Sequence, residues 1–235
     1  MASAGMIVSL ATACWAQTAD ELVAKNLASR GGADRLRAIA TIRMTGTISF
    51  GETMSPITVE MRRPSQIREE FQMQGTTVVR AFDGTTGWEM QKNVAQAVEL
   101  TGGELDNIRE EAENAIGGAL LDYAKKGSKV EALGKGTFEG KPVYKLKVTT
   151  HMGTAITQYL DAATYLEIHE EIERSADGKL VTITENVGDY REVDGIKFAH
   201  LFVSGRKENP TATKLQVGKM ELGVPIKASE FEMAK

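Results

Sequence analysis

Hydrophobic and polar residues alternate along most of the chain with the two-residue period of β-strands. The clearest example is 41–50, where Ile42, Met44, Ile48 and Phe50 alternate with polar residues. Further strands, separated by glycine or Asp-Gly turns, are predicted at 65–74, 76–82, 86–92, 94–100, 128–138, 142–150, 154–161, 165–174, 179–192, 196–206 and 211–220. Such short connections favour antiparallel neighbours.

Three segments replace this alternation with helical spacing. Thr18 and Glu21 match a capping box, and the helix that they begin is predicted to end at 31–32, a Gly-Gly pair. A short second helix is predicted over 33–39. The longest helical pattern covers 104–126, and the Gly-Gly pair at 117–118 predicts a bend or a break within it. Its apolar stripe consists of Leu105, Ile108, Ala112, Ala115, Ile116, Ala119, Leu120 and Tyr123.

Together these elements predict an α+β fold that is mainly β. We expect one strongly curved antiparallel half-barrel sheet with about three helices covering its concave face. The 104–126 helix is the largest element available to cover that face. Such an arrangement either packs solid or encloses an apolar cavity, and the pattern leaves both outcomes open.

The N-terminus carries an uncharged apolar run over 6–16 that is too short to span a bilayer as a helix. It is typical of a secretory signal peptide, although residues 1–5 carry no Lys or Arg. We therefore predict a signal peptide over 1–16, a single domain over 17–235 and a periplasmic location. A lipid anchor on Cys14, the only cysteine, is the alternative.

The remaining composition argues against several classes of function. The net charge is −4 and no Lys/Arg-rich block is present, so nucleic acid is not an expected partner. His151, His169 and His200 each lie in a different predicted strand or at a strand end, without ligand-type neighbours, so we expect no metal site and no cofactor. The sequence has no nucleophile-elbow, Walker or dinucleotide motif, and we expect no catalytic residue and no enzyme activity.

Two runs of glutamate, over 110–113 and 167–173, are typical of solvated faces. A hydrolase that uses the carboxylates of 167–173 is a rival hypothesis. A convergent, buried carboxylate pair in the structure would favour it.

The stretch FDGTTGW, over 82–88, places Trp88 directly after a predicted turn. One interpretation puts its indole at the lip of an apolar cavity, where the ring touches a lipid chain and its N–H stays hydrated. The alternative is a tryptophan that fills the core of the curled sheet. The residues predicted to bind ligand, at the lip or along the cavity, are Trp88, Met90, Ile108, Ala112, Ile116 and Leu120.

Several segments, in order, resemble the LolA-like outer-membrane lipoprotein-sorting family. They are ADELVAKNLASRGGADRLRAIATIRMTGTI (19–48), FDGTTGW (82–88), LLDYAKKG (120–127), GTFEGKPVYKLKVTTHMGTAITQYLDAATYL (136–166) and GDYREVDGIKFAH (188–200). The family resembled has a strongly bent antiparallel half-barrel with helices over its inner face. Its members carry acylated lipoproteins across the periplasm or bind acyl chains as sensors.

The resemblance implies a periplasmic carrier that holds acyl chains of lipoproteins or lipids between a curved sheet and a helical lid. It also implies membrane-associated donor and acceptor proteins as further partners. The alternative function is a sensor or protein-interaction module of the same fold, with a solidly packed core and no lipid cargo.

Overall fold

Thirteen antiparallel strands form one open, curved sheet in the computed structural model, which describes residues 17–91, 96–176 and 179–233. The helices are α1 (Ala19–Ser29), α2 (Ala33–Ala38) and α3 (Gly102–Asn114), with a short 3-10 helix at Ala228–Glu230. The strands are β1 (Thr41–Phe50), β2 (Thr53–Arg62), β3 (Gln66–Met73), β4 (Thr76–Phe82), β5 (Gly87–Gln91), β6 (Val98–Glu99), β7 (Lys129–Phe138), β8 (Lys141–Thr149), β9 (Ala155–Asp161), β10 (Glu167–Ala176), β11 (Lys179–Gly188), β12 (Arg191–Val193), β13 (Ile196–Phe198), β14 (Leu201–Arg206) and β15 (Asn209–Leu222).

The sheet consists of two meanders joined in the middle. The strand order is β6-β5-β4-β3-β2-β1-β15-β14-β11-β10-β9-β8-β7, and β12 pairs with β13 in a separate small sheet. The junction is the pairing of β1 with β15, while β6 and β7 lie at opposite ends of the order. The predicted α+β half-barrel with helices over its concave face is therefore confirmed.

The alternation in β1 decides which face becomes the core. Ile42, Met44 and Ile48 are buried on the face that the helices cover. Gly46 lies on the same face, where the register against β15 shifts. A Cβ atom at Gly46 would lie 2.1 Å from the carbonyl oxygen of Gln216, so only glycine permits this close approach of the two strands.

The helices cover the two flanks of the concave face. The hydroxyl of Thr18 accepts a hydrogen bond from the Glu21 backbone N–H at 3.2 Å, and the Glu21 carboxylate accepts one from the Thr18 N–H at 3.0 Å, which confirms the predicted capping box. Helix α1 contacts β7 and β8, whereas α3 contacts β3, β4 and β5. The main hydrophobic core lies between these helices and the sheet.

The helical pattern predicted over 104–126 forms a helix only in its first half, and the predicted break at the Gly-Gly pair 117–118 is confirmed. Helix α3 ends at Asn114, and 115–127 forms turns in which Gly117 and Gly118 have φ of +105° and +78°. These positive angles belong to glycine and end the helix. Cationic side chains then hold the turns: Arg30 donates to the Gly117 carbonyl and Lys126 to the Gly118 carbonyl, both at 2.8 Å.

The predicted signal peptide over 1–16, including Cys14, lies outside the described residues. In the parts of the chain that the structure describes, no helix is long and apolar enough to cross a membrane.

Candidate functional site on the concave face

The helical stripe predicted to line a cavity is packed into the main core. Ile108, Ala112, Ile116 and Leu120 are all buried, with at most 5% of their surface exposed. A Cβ atom at Gly87 of β5 would lie 3.0 Å from the Ile108 side chain, so α3 rests directly on the sheet. The structure thus brings these four residues together, and their contact with a ligand stays a prediction.

Trp88 and Met90 lie on the opposite face of the sheet. In the pairing of β4 with β5, Trp88 is opposite Ala81, whereas Phe82 is opposite Gly87 under α3. Trp88 is 4% exposed, and Met90 packs against the small cluster around it. The indole N–H of Trp88 donates to the carbonyl of Phe231 at 2.8 Å, so the C-terminal segment covers the ring. The structure therefore separates Trp88 and Met90 from the four helical residues.

An open depression of about 500 Å³ adjoins Trp88 on this convex face. Ion pairs line it, with Arg43 2.7 Å from Glu60 and Arg68 2.6 Å from Glu70. Arg68 is also 4.0 Å from Glu60, so these side chains link β1, β2 and β3 beside the C-terminal segment, whose Glu230 also lines the depression. The depression is therefore a polar surface next to the C-terminal segment that covers Trp88.

On the concave face, a strip of half-buried apolar side chains lies between the two flanking helices. In register, Phe202 of β14 is opposite Leu215 of β15, which is opposite Ile48 of β1. Phe50 follows on the same face, and its ring centroid lies 5.6 Å from that of Phe71. We call Phe50, Phe71, Phe202 and Leu215 the apolar strip; each packs against the core and keeps part of its surface exposed.

Beside the apolar strip, four glutamates and one glutamine form what we call the carboxylate cluster: Glu110, Glu167, Glu170, Glu185 and Gln158. Glu170 of β10 is opposite both Gln158 of β9 and Glu185 of β11. The Gln158 amide donates to the carboxylates of Glu167 at 3.1 Å and Glu170 at 3.4 Å. Glu185 is opposite Ser204, which lies two residues from Phe202 on the same face of β14. The cluster and the strip are therefore adjacent.

Desolvation governs the protonation of the cluster. It raises the pKa of Glu185 to about 8, with a further contribution from the charge of Glu170. It also raises the pKa of Glu167 well above its usual value, and the hydrogen-bonded carboxyl of Glu170 adds to this effect. The pKa of Glu170 is itself raised by desolvation. These glutamates keep partial exposure, so they line a recess that solvent reaches but hydrates poorly.

Acceptor oxygens outnumber donors in this recess. Glu110 reaches the cluster from α3 and is only 9% exposed, and its charge acts on Glu170. Among the described residues, the buried side-chain atoms without a hydrogen-bond partner include Oε1 of Glu110, Oε1 of Gln158 and Oε1 of Glu167. Oε1 of Gln158 can only accept, and the Glu167 carboxyl, whose pKa is raised, becomes a pure acceptor once it loses its proton, so the ionised cluster favours a group that donates several hydrogen bonds.

Two guanidinium groups lie near the cluster and compensate part of its charge. Burial lowers the pKa of Arg30, which lies near Glu167 and Tyr190. Burial also lowers the pKa of Arg174, whose nearest charges include Glu110.

A further half-buried carboxyl, that of Glu69, lies near α3. Desolvation raises the pKa of Glu69 to about 8, and the nearby carboxyl of Glu111 adds to the shift. Arg80 bridges the two, at 3.8 Å from Glu69 and 3.5 Å from Glu111. Carboxyl groups therefore line the concave face on both the sheet side and the helix side.

The sequence interpretation missed this cluster because the glutamates of 167–173 looked like a solvated face. The signal was the two-residue period: with Ile172 facing inward, Glu170 must face inward too. A shift in the β9–β10 register between Glu167 and His169 then turns Glu167 inward as well. No sequence pattern predicts such an irregularity. In the described parts of the chain, no group of His, Cys, Asp or Glu has the arrangement of a metal site.

Comparison with known proteins identifies the fold. No family model matches the sequence, and no curated protein matches it. A DUF1329 family protein from Desulfovibrio piger superposes with a TM-score of 0.60 at 13% identity, over 89% of this chain and 95% of that chain. A LolA superfamily protein from Nitrosomonas europaea superposes with a TM-score of 0.58 at 13% identity, over 92% and 98% of the two chains.

The chain has the LolA-like fold. A domain from Vibrio parahaemolyticus that is named for outer membrane lipoprotein sorting also shares it, with a TM-score of 0.56 at 13% identity over 89% of this chain and 97% of that chain. The resemblance seen in the sequence segments is thereby confirmed for the LolA-like fold. Identities this low establish the architecture and leave the ligand to be argued from the site.

The position of Trp88 makes a spectroscopic prediction. In a chain that begins at Gln17, Trp88 is the sole tryptophan, and its burial predicts short-wavelength emission that does not change when a ligand enters the concave face. Trp88→Ala should lower the free energy of unfolding by about 3–5 kcal/mol, because it removes a buried ring. Emission titrations and urea unfolding measure both effects. A ligand-dependent shift in emission would instead place Trp88 at the binding site.

The raised carboxyl pKa values predict how stability depends on pH. The pKa values of Glu69 and Glu185 are about 8 in the folded chain, against about 4.3 for an ordinary glutamate in the unfolded chain. Between these values the folded state holds more protons than the unfolded state, so stability falls as pH rises from about 5 to about 8. Glu185→Gln should flatten this decline in urea midpoints. Exposed Glu131→Gln is the control and should leave it unchanged. Stability that rises over this range would contradict the assignment.

Proposed function

We propose that this protein binds the apolar chain of an amphiphile, of the kind found in lipids and lipoproteins, on the concave face between α1 and α3. The observation that carries the proposal is the apolar strip, which runs across β14, β15, β1 and β3 and keeps part of its surface open. The LolA-like fold and the apolar run at 6–16 support a periplasmic location for this activity. The role is binding and carriage, and the cargo passes between membrane-associated partners.

The energetics set a minimum length for the bound chain. Each methylene removed from water contributes about 0.8 kcal/mol, so a ten-carbon chain gains about 8 kcal/mol before costs. Lost translational and rotational freedom costs about 4 kcal/mol or more, which offsets a large part of that gain. We therefore expect measurable binding from about ten carbons upward.

A sensor or protein-interaction module with a solid core is the competing function. Ile108 on α3 and Ile116 just after α3 are both packed into the main core, which is compatible with a solid-core module. The carrier is favoured because the apolar strip extends beyond that packed core, where the flanking helices leave it partly exposed. An apolar probe that binds the strip distinguishes the two functions.

Hydrolysis is a second candidate, because Glu167 and Glu170 form the convergent carboxyl pair that would favour it. Their direct hydrogen bond differs from the separation of about 5 Å or more that glycosidase carboxylates keep for substrate. Turnover of chromogenic esters or glycosides that is lost in both Glu167→Gln and Glu170→Gln would establish hydrolysis. Absence of turnover in the wild-type protein would remove this candidate.

A pair of leucine variants tests the binding proposal. Leu215→Asp places a carboxylate in the apolar strip and should weaken binding of the neutral dye N-phenyl-1-naphthylamine about tenfold or more, because charge disfavours an apolar contact. Leu180→Asp is the matched control, since Leu180 is 73% exposed and points to the convex face. Dye fluorescence measures affinity, and thermal unfolding confirms that both variants fold. Equal affinities in the two folded variants would contradict binding at the strip.

A further inference from the structure

The carboxylate cluster lies where the end of a bound chain would reach. Glu185 is opposite Ser204 in the β11–β14 pairing, and Ser204 is separated from Phe202 of the apolar strip by one residue. Two residues along a strand span about 6.6 Å, so a chain on the strip ends within reach of the cluster. The recess therefore has an apolar part and an acidic part on one face.

The unpartnered atoms specify the chemistry of a complementary group. Oε1 of Gln158 belongs to a side chain that is 3% exposed, and the Nε2 of the same amide is bonded to two members of the cluster. Oε1 of Glu110 approaches from α3 on the other side and is also unpartnered. Both are acceptors among carboxylates, so the complementary group carries positive charge and several N–H donors.

We propose that the carboxylate cluster binds the primary ammonium group of the amphiphile whose chain lies on the apolar strip. This inference rests on the proposed function and adds the charge of the head group to it. A primary ammonium group offers three donors, which matches the acceptor oxygens of Glu110, Gln158 and Glu167. A carboxylate or phosphate head group offers few or no donors and would face like charge wherever the cluster is ionised.

The surrounding charges keep the recess acidic. Arg30 lies near Glu167, and Arg174 lies near Glu110, so each guanidinium compensates part of the negative charge of the cluster. Glu170 and Glu185 face each other in the middle. Further charged or titratable groups facing the cluster are Glu111 and Tyr190, with His169 behind the sheet.

Probes that differ only in the head group test the inference. Decylammonium should bind the wild-type protein about tenfold more tightly than decanol, and decanoate should bind most weakly, because only the first offers charge-assisted donors. Ethylammonium, which lacks the chain, should bind weakly. Isothermal titration calorimetry measures all four probes.

Two variants locate the head group. Glu170→Gln and Glu185→Gln should each lower the affinity for decylammonium about tenfold and leave that for decanol unchanged. Exposed Glu131→Gln should change neither. Decylammonium should also bind more tightly at about pH 8 than at about pH 6, where the ligand stays charged but the cluster holds more protons. Glu185→Gln should reduce that difference.

The possible results separate the inference from the function on which it rests. Equal affinity for decylammonium and decanol, or tighter binding of decanoate, would overturn the ammonium site while the chain-binding function stands. If ethylammonium binds as well as decylammonium, the site recognises a free amine without its chain, and the proposal of an amphiphilic ligand is overturned. Failure of every decyl probe to bind would overturn the proposed function itself.

Discussion

The concave face of this sheet is wider than its helices can cover, and the rest of the structure follows from that constraint. Thirteen strands spaced about 4.8 Å apart give a face of about 58 Å along the curve. Helices α1 and α3 have 11 and 13 residues, or about 17 and 20 Å at 1.5 Å per residue. They cover the flanks, and some apolar side chains of the middle strands, such as Phe50 on β1 and Phe202 on β14, keep part of their surface exposed, where we propose that the ligand binds.

The two faces of the sheet perform different tasks. On the convex face, the C-terminal segment covers Trp88, whose indole N–H donates to the Phe231 carbonyl. The concave face divides into a packed core under the helices and a recess between them. Within that recess, apolar side chains on β1 and β14 lie next to carboxylates on β10 and β11, which suits an amphiphile with a positively charged end.

Much of the fold could be predicted because the relevant signals are local. Alternation and Asp-Gly turns predicted nearly every strand, and the capping box of Thr18 and Glu21 marked the first helix. The helix over 104–126 was overextended, since its apolar stripe continues past Gly117 although the backbone there turns. An apolar side chain needs burial whether it lies on a helix or on a turn, so the stripe alone could not distinguish them.

The candidate site was harder to predict because it depends on pairing between distant strands. The sequence predicted Trp88 near a ligand, but which face it occupies depends on the register of β4 against β5 and on the C-terminal segment. Likewise, the glutamates of β10 look solvated until Gln158, Glu185 and α3 are placed around them. Residues from separate elements desolvate these glutamates, so no local sequence pattern predicts the effect.

The most direct test of this account is a crystal structure of the protein with 10-bromodecylammonium. The bromine gives an anomalous signal at one end of the chain, and the nitrogen marks the other. We predict bromine density against Phe202 and Phe50 and an ammonium group within hydrogen-bonding distance of Glu110, Gln158 or Glu167. Bromine density on the convex face near Trp88, or a reversed ligand with its bromine among the carboxylates, would contradict it.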